Sequence, residues 1–185
     1  MGEEFGDDGS TTRWIVDPID GTTCFLRGIP IWATLLALEV EGVVKVGVAS
    51  APALGRRWWA VRGEGAYADG MPCRVSAVTR IEDAAVSTTS QRRMPPGWRV
   101  IVDRAWANRG LGDFWHHCLV AEGSLDVATD GAYMRLWDFA AVQLLVEEAG
   151  GRCTTLDGRA PRDEDSFVST NGTLHDEVVA LLSAP

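Results

Sequence analysis

An apolar run that meets a proline between two aspartates restricts how residues 13–27 can fold. Residues 14–16, Trp-Ile-Val, have the pattern of a buried strand. Pro18 cannot continue the hydrogen-bonded ladder of a central strand, so we expect the strand to end at or just after Asp17. This places the Asp17 carboxylate at the end of a strand.

Asp20 follows Asp17 by three residues, in a turn that contains a proline and a glycine. The two carboxylates can therefore converge on one point, and the Ile19 carbonyl between them is free to point the same way. Such oxygens suit a hard cation. The alternative is a solvated turn without a function, and the spacing alone leaves both open, because paired aspartates are common in turns.

Gly21, Thr22 and Thr23 predict the start of a short helix directly after the acids. Gly21 permits a close approach of the backbone, and both threonines are of the type that caps helix N-termini. The free N–H groups at a helix N-terminus attract anions. A helix that starts beside a cation therefore predicts a phosphate site.

The composition restricts the partners and the compartment. A formal net charge of −9 disfavours nucleic acids and anionic membrane surfaces, because both require basic patches. No apolar run approaches the length of a membrane span, and the N-terminus lacks the basic and apolar segments of a secretion signal. We therefore expect a cytoplasmic protein that binds neither nucleic acid nor membrane.

We expect one domain over residues 1–185. The chain is 46% hydrophobic, which is enough for a sizeable core, and no linker, repeat or low-complexity tract divides it. The four cysteines lie far apart without a CxxC motif, so we expect reduced thiols and no zinc site built from them.

The remaining pattern predicts two layers of strands, followed by alternating strands and helices. The predicted strands of the first layer, an antiparallel meander, are residues 31–40, 43–49, 56–61 and 66–68. Those of the second layer include residues 84–88 and 98–102. Helices are predicted from Asp113 to a stop at Gly123 and from Asp138 to Glu148.

His116 and His117 are adjacent in the first of these helices. Neighbouring helix positions point about 100° apart, whereas helix residues that share a metal ion are three or four positions apart. We therefore expect packing or surface roles for this pair and no zinc site.

Three segments together resemble the inositol monophosphatase-like family of metal-dependent phosphatases. They are Gly2-Glu3-Glu4, the DPIDGT loop of residues 17–22, and the helix that begins at Trp137-Asp138 and ends in the EAGG of residues 148–151. The resemblance runs through nearly the whole chain. It implies an α/β (α+β) fold, a layered αβαβα sandwich of the inositol monophosphatase and fructose-bisphosphatase type.

The resemblance also implies a metal site and a reaction. The metal ligands would be Glu3, Asp17, Asp20, Asp138 and the Ile19 carbonyl. Two unit negative charges about 4 Å apart repel by roughly 4 kcal/mol at an effective dielectric of 20, so such acids cannot cluster ionised without cations. Two or three Mg²⁺ ions would balance them and support direct hydrolysis of a phosphomonoester by water.

Further roles follow from the same resemblance. The substrate phosphate would be bound by Asp20, Gly21, Thr22 and Thr23. The Thr22 hydroxyl would help to orient the attacking water, and Glu3 would belong to the catalytic set as well as to the metal ligands.

Other segments look like the histidinol-phosphatase branch of this family, namely residues 27–30 (RGIP), 50–59 (SAPALGRRWW), 112–114 (GDF) and 118–123 (CLVAEG). That branch implies hydrolysis of histidinol phosphate in histidine biosynthesis. The substrate carries an amine cation, which Asp113 or Asp130 would bind, although Asp113 is equally a good helix cap. A phosphatase of inositol 1-phosphate, or of a related sugar or nucleotide, is the alternative.

The sequence departs from the family pattern in two places. Cys24 stands where the family usually has Asn, which would alter the hydrogen bonding of the loop. The two helices that normally precede the GEE motif are missing, so we expect an N-terminally truncated sandwich whose apolar surface is exposed or used for association, as in a homodimer. The competing hypothesis is a catalytically impaired fragment that acts as an interaction protein.

Overall fold

The computed structural model describes residues 10–184, so the predicted ligand Glu3 and its neighbour Glu4 lie outside the described residues. The strands of the first sheet are β1 (Thr12–Asp20), β2 (Ala33–Val40), β3 (Val43–Ala51), β4 (Arg56–Val61), β5 (Gly65–Ala68) and β6 (Met71–Pro72). Those of the second are β7 (Ala85–Thr88), β8 (Ala107–Arg109), β9 (Val127–Met134), β10 (Arg152–Thr154) and β11 (Asp165–Thr170). The helices are α1 (Thr22–Leu26), α2 (Pro96–Arg104), α3 (Asp113–Ala121), α4 (Leu136–Glu148) and α5 (His175–Leu182).

The first sheet is an antiparallel meander in which each strand from β1 to β6 pairs with the next along the chain. The turn between β2 and β3 consists of Glu41 and Gly42, whose φ angles are 51° and 75°. Two consecutive positive φ angles give a two-residue turn the twist that a hairpin needs. The predicted hairpin and meander are confirmed.

The second sheet is mixed, with the strand order β10-β11-β9-β7-β8. Strand β7 runs parallel to β8 and β9, whereas β11 runs antiparallel to β9 and β10. This arrangement places β7 and β9, both followed by residues of the site described below, side by side in the sheet.

Helices α3 and α4 lie between the two sheets, and α4 contacts strands of both. The buried residues of α4 surround its whole circumference, namely Phe139, Ala140, Ala141, Val142, Leu144, Leu145 and Val146. A helix that is apolar on all sides is typical of such an enclosed position. The first sheet comes so close to α4 that a Cβ on Gly47 would lie 2.7 Å from the Ala141 carbonyl oxygen.

Helices α2 and α5 cover the other face of the second sheet. Their buried side chains, Trp98, Ile101, Val178 and Leu182, form a second core with Val127 and Val168 of that sheet. The layers therefore follow the order sheet, helices, sheet, helices, which is four of the five layers of the predicted αβαβα sandwich. The predicted fold class is confirmed.

The prediction that the first strand ends near Asp17 is wrong. Strand β1 continues through Pro18 to Asp20, and its pairing with β2 shifts register between Asp17 and Asp20. Proline is tolerated because β1 is the edge strand of the first sheet, and an irregularity of this kind bends an edge strand. Both carboxylates lie near the N-terminal end of α4.

The prediction of a strand over residues 98–102 is also wrong, because these residues belong to α2. Pro96 occupies the first turn of that helix, where the missing N–H costs nothing. Trp98 and Ile101 are buried while Arg99 and Val100 are exposed, which is the three-residue spacing of a helix and not the alternation of a strand.

The outer face of the first sheet carries partly buried apolar side chains. Leu36, Val46, Val48 and Trp59 line a shallow groove of about 720 Å³ on the side opposite α4. None of the helices within residues 10–184 is long and apolar enough to cross a membrane.

Candidate active site

Three carboxylates from distant parts of the chain meet where β1 ends and α4 begins. Asp17 and Asp20, which are 3% and 8% exposed, come from the irregular end of β1. Asp138 lies in the first turn of α4, and its Oδ2 accepts the backbone N–H of Arg135 at 2.8 Å, which caps the N-terminus of the helix as part of a capping box. The three residues can each offer an oxygen within 4.8 Å of the others. The structure thus brings together three of the four predicted acids.

The electrostatics of this cluster favour a cation. Burial, followed by the neighbouring charges of Asp113, Asp17 and Asp138, raises the pKa of Asp20 well above its usual value of 3.8. A hydrogen bond from the Phe114 backbone N–H acts in the opposite direction on the same pKa but does not reverse the shift. Buried like charges are stable only when they are neutralised by protons or by a cation.

Residues 19 and 22 are joined by hydrogen bonds within the loop. The Thr22 hydroxyl donates to the Ile19 carbonyl at 2.9 Å, and the Ile19 N–H donates to Oδ1 of Asp17 at 2.9 Å. A carbonyl oxygen has two lone pairs, so the Ile19 carbonyl can accept this bond and still face a cation.

The predicted short helix is present as α1, but its N-cap is Gly21 and not a threonine. Gly21 has a φ of 79°, and a Cβ at this position would lie 2.7 Å from the Ile31 carbonyl oxygen. Both facts require glycine. The close backbone approach that the sequence predicts at Gly21 therefore brings this residue against Ile31, in the segment before β2.

The predicted residues surround one cavity of about 260 Å³. Its lining includes the predicted Asp17, Ile19, Asp20, Gly21, Thr22, Thr23, Asp113, Asp130 and Asp138. It also includes residues that the sequence reasoning missed, namely Thr89, Ser90, Arg93, Gly131, Tyr133 and Met134. Of the missed residues, Arg93 is a basic side chain at the cavity, and it reaches this position because Gly131 lets the Arg93 backbone pack directly on β9.

Asp113 lies between the acid cluster and the far wall of the cavity. It is the first residue of α3 and has a φ of 49°, while Gly112 is the N-cap, so the interpretation of Asp113 as the cap is wrong. Burial and then the charge of Asp130 raise the pKa of Asp113. The Cys24 thiol lies 3.7 Å from Oδ2 of Asp113, so the cysteine of the α1 loop hydrogen bonds to a cavity acid.

Asp130 forms the far wall and is held by the two adjacent histidines of α3. Its Oδ2 lies 3.0 Å from Nε2 of His116 and 2.9 Å from Nε2 of His117. The two Nε2 atoms are themselves 3.0 Å apart. The expectation that neighbouring helix positions cannot share a partner is therefore wrong, because the rings are long enough to converge beside the helix although their Cβ atoms diverge.

Burial determines the charge states in this group. Burial, reinforced by the neighbouring His116, lowers the pKa of His117 to about 4, so this ring is neutral at physiological pH. Burial alone would raise the pKa of Asp130, but the two imidazoles hold it well below its usual value. Asp130 is thus an ionised carboxylate inside the protein.

The inositol monophosphatase family model matches residues 1–184 of the chain. The histidinol-phosphatase of Mycobacterium tuberculosis is 51% identical over 100% of this chain and 75% of its own length. The structure of the Thermotoga maritima IMPase superposes with a TM-score of 0.91 at 34% identity, covering 98% of this chain and 72% of that one. An IMPase/NADP phosphatase solved with Mg²⁺ and phosphate superposes with a TM-score of 0.90 at 26% identity, covering 100% of this chain and 73% of that one.

Proposed function

Because the chain belongs to the inositol monophosphatase family, we propose that it is a Mg²⁺-dependent phosphoric monoester hydrolase that acts on histidinol phosphate. The observation that carries the proposal is the convergence of Asp17, Asp20 and Asp138 on one cavity beside the N-terminus of α1. The relative that is 51% identical, a histidinol-phosphatase, supports the choice of substrate.

The side chains around the cluster fit Mg²⁺ better than a softer ion. The candidate ligands Asp17, Asp20 and Asp138 offer only oxygen, as does the Ile19 carbonyl, and Glu3 would add a further carboxylate. We propose two or three ions at this position, in keeping with the Mg²⁺ and phosphate in the structure of the related IMPase/NADP phosphatase. Bound Mg²⁺ would supply positive charge to the phosphate and to the oxygen that leaves.

The residues of the α1 loop would orient the phosphate and the water. Gly21, Thr22 and Thr23 lie at the start of α1 and line the cavity, and their backbone N–H groups would donate to phosphate oxygens. The Thr22 hydroxyl uses its hydrogen for the Ile19 carbonyl, so its own oxygen can accept a hydrogen bond from an attacking water and fix its direction.

The acids on the far side of the cavity would select the substrate. Asp113 and Asp130 line the same cavity as the α1 loop, so a phosphate held by the loop would leave the other end of the substrate near these carboxylates. An ammonium group gains a charge-assisted hydrogen bond there, whereas a neutral polyol does not. This difference favours histidinol phosphate over inositol 1-phosphate.

We propose that residues 1–185 act as one phosphatase domain in the cytoplasm, with reduced thiols, since all four cysteines are free in the structure. The half-buried apolar groove on the outer face of the first sheet supports a homodimer or another self-association through that face.

Phosphate release in the presence of Mg²⁺ tests the function. The substrates to compare are histidinol phosphate, inositol 1-phosphate, fructose 1,6-bisphosphate and 3′-phosphoadenosine 5′-phosphate. We expect the highest kcat/KM for histidinol phosphate and loss of turnover without Mg²⁺. A higher kcat/KM for another substrate would overturn the choice of substrate. No turnover of any of them would favour an interaction protein.

A further inference from the structure

The group of His116, His117 and Asp130 is separate from the three acids at the end of β1. The histidines come from α3 and the aspartate from β9, and the three residues are 0%, 1% and 5% exposed. The two groups share no residue, although Asp130 lines the same cavity as the three acids.

The three facing atoms form a nearly equilateral triangle. Its sides are 3.0 Å between the two Nε2 atoms, 3.0 Å from His116 Nε2 to Asp130 Oδ2, and 2.9 Å from His117 Nε2 to the same oxygen. A ring nitrogen either donates or accepts, and cannot do both at once. Hydrogen bonds therefore cannot occupy all three sides. If both rings donate to Asp130, two N–H groups face each other at 3.0 Å.

A metal ion accounts for all three distances at once. Bonds of about 2.1 Å at right angles place neighbouring ligand atoms about 3.0 Å apart. The observed triangle therefore has the size of one face of an octahedron around such an ion. Two imidazoles and one carboxylate on one face are a ligand set used for divalent transition metals.

The outer partners of the rings suit this role. Nδ1 of His117 lies 2.7 Å from the Ser169 hydroxyl, and Nδ1 of His116 lies 3.2 Å from the Ser87 hydroxyl. Each serine oxygen can accept the Nδ1 proton, which leaves the Nε2 lone pair of each ring facing the triangle.

We propose that His116, His117 and Asp130 bind one divalent transition-metal ion that accepts six ligands, of the Co²⁺ type, at a site distinct from the oxygen-only Mg²⁺ site. Imidazole nitrogens favour such ions over Mg²⁺, so the two sites select different metals. The ion enters through the cavity that Asp130 lines and fixes this carboxylate between α3 and β9. Because the charge of the ion opposes an ammonium group at Asp130, the amine of the substrate is then left to Asp113.

Cobalt binding to the full chain tests the proposal without using activity. The protein is stripped with a chelator, supplied with excess Mg²⁺ to fill the acid cluster, and titrated with Co²⁺ while its visible absorption is recorded. We expect one equivalent of Co²⁺ with the weak visible bands of six-coordinate Co²⁺ that has nitrogen ligands, recorded at high protein concentration. His116→Gln and His117→Gln lose this signal, whereas Asp17→Asn keeps it.

The third histidine of the chain provides a matched control. His175 is equally buried, but its ring nitrogens bond to the hydroxyls of Thr154 and Thr170, away from Asp130. The variant His175→Gln keeps the Co²⁺ signal if the site is correct. If the wild type gives no signal, if both His116→Gln and His117→Gln retain it, or if Asp17→Asn abolishes it, the proposal is wrong.

X-ray absorption at the cobalt edge covers the case in which the histidine variants do not fold. Wild-type protein loaded with one equivalent of Co²⁺ in excess Mg²⁺ is expected to show two imidazole ligands. A cobalt environment of oxygen ligands alone overturns the proposal and places the ion in the acid cluster.

Discussion

The backbone N–H of Phe114 donates a hydrogen bond of 2.8 Å to Oδ2 of Asp20, across 94 positions of the chain. Phe114 lies in the first turn of α3, where N–H groups have no partner inside the helix. A carboxylate at such a position is stabilised by the helix dipole. The bond therefore fixes the direction of Asp20 while its second oxygen remains able to face Asp17 and Asp138.

This bond connects the two ends of the cavity. It joins the acid cluster to α3, the helix that also carries Asp113, His116 and His117. A shift of α3 would therefore move both the acids of the proposed Mg²⁺ site and those of the proposed substrate end.

We predict that Asp17→Asn lowers kcat by on the order of 100-fold or more, because it removes a charged oxygen from the proposed Mg²⁺ site. Asp138→Asn has the same effect on turnover but little effect on stability, since an asparagine oxygen can still accept the Arg135 N–H. Turnover is measured over a Mg²⁺ titration, and thermal unfolding is followed in parallel.

The exposed Asp103→Asn, in an ion pair on α2 that is remote from the cavity, serves as the matched control for both variants. It is expected to leave turnover unchanged. Full turnover of Asp17→Asn and Asp138→Asn would remove these residues from the metal site.

We predict that Gly21→Ala is more harmful than Gly28→Ala, although the φ angles of the two glycines are 79° and 69°. Both variants place an alanine in the left-handed region, at a cost of roughly 1–2 kcal/mol. Only Gly21 adds a clash, because nothing lies within 4 Å of a Cβ on Gly28. We therefore expect a further loss of about 1–3 kcal/mol for Gly21→Ala. Urea unfolding measures it, and equal losses would contradict the close packing on Ile31.

The metal acids could be predicted from the sequence because each has a local signal. Asp17 and Asp20 flank a proline at the end of an apolar run, and Asp138 opens a helical pattern. Their convergence was inferred from a family resemblance and from charge. Arg93 had no comparable signal, because it reaches the cavity only through the packing of its loop on Gly131 of β9.

The errors in the prediction also have physical causes. The apolar content of residues 98–102 suits a strand or a buried helix equally well. Pro96 in the first turn and the packing against α5 favour the helix. The expectation for the histidine pair rests on Cβ directions alone. Both rings point to one side because they contact Asp130 on β9. This tertiary contact could not be predicted from the local sequence around the histidines.

We predict that Asp20 makes the metal-free protein less stable as the pH rises above about 4, whereas His117 and His175, whose pKa values burial lowers to about 4, make it more stable up to their ordinary pKa near 6.5. The pKa of Asp20 is raised in the folded state, first by burial, so the folded protein binds a proton that the unfolded chain releases near its ordinary pKa of about 3.9. Stability from this proton is present at low pH and is lost as the pH rises through the raised pKa of Asp20.

Mg²⁺ should reverse this loss, so the rise in Tm caused by Mg²⁺ is expected to grow with pH. Thermal unfolding at a series of pH values, with and without Mg²⁺, measures both effects. Asp20→Asn should remove the part of the loss that is due to Asp20, so its metal-free stability should fall less, or rise more, with pH than that of the wild type, while the part due to the raised pKa of Asp113 remains. An unchanged slope in Asp20→Asn would show that its carboxyl does not titrate abnormally.

Our last prediction concerns the substrate end of the cavity. Asp113→Asn should lower kcat/KM for histidinol phosphate by about 10- to 100-fold, since a hydrogen bond to a charged group contributes roughly 1.5–3 kcal/mol. The same variant should change kcat/KM for inositol 1-phosphate little, because a neutral polyol gains nothing from the charge. The loss should appear mainly in KM for histidinol phosphate. An equal loss on both substrates would show that Asp113 acts on Asp20 and the metal cluster, whose charges it already influences, and not on the amine of the substrate.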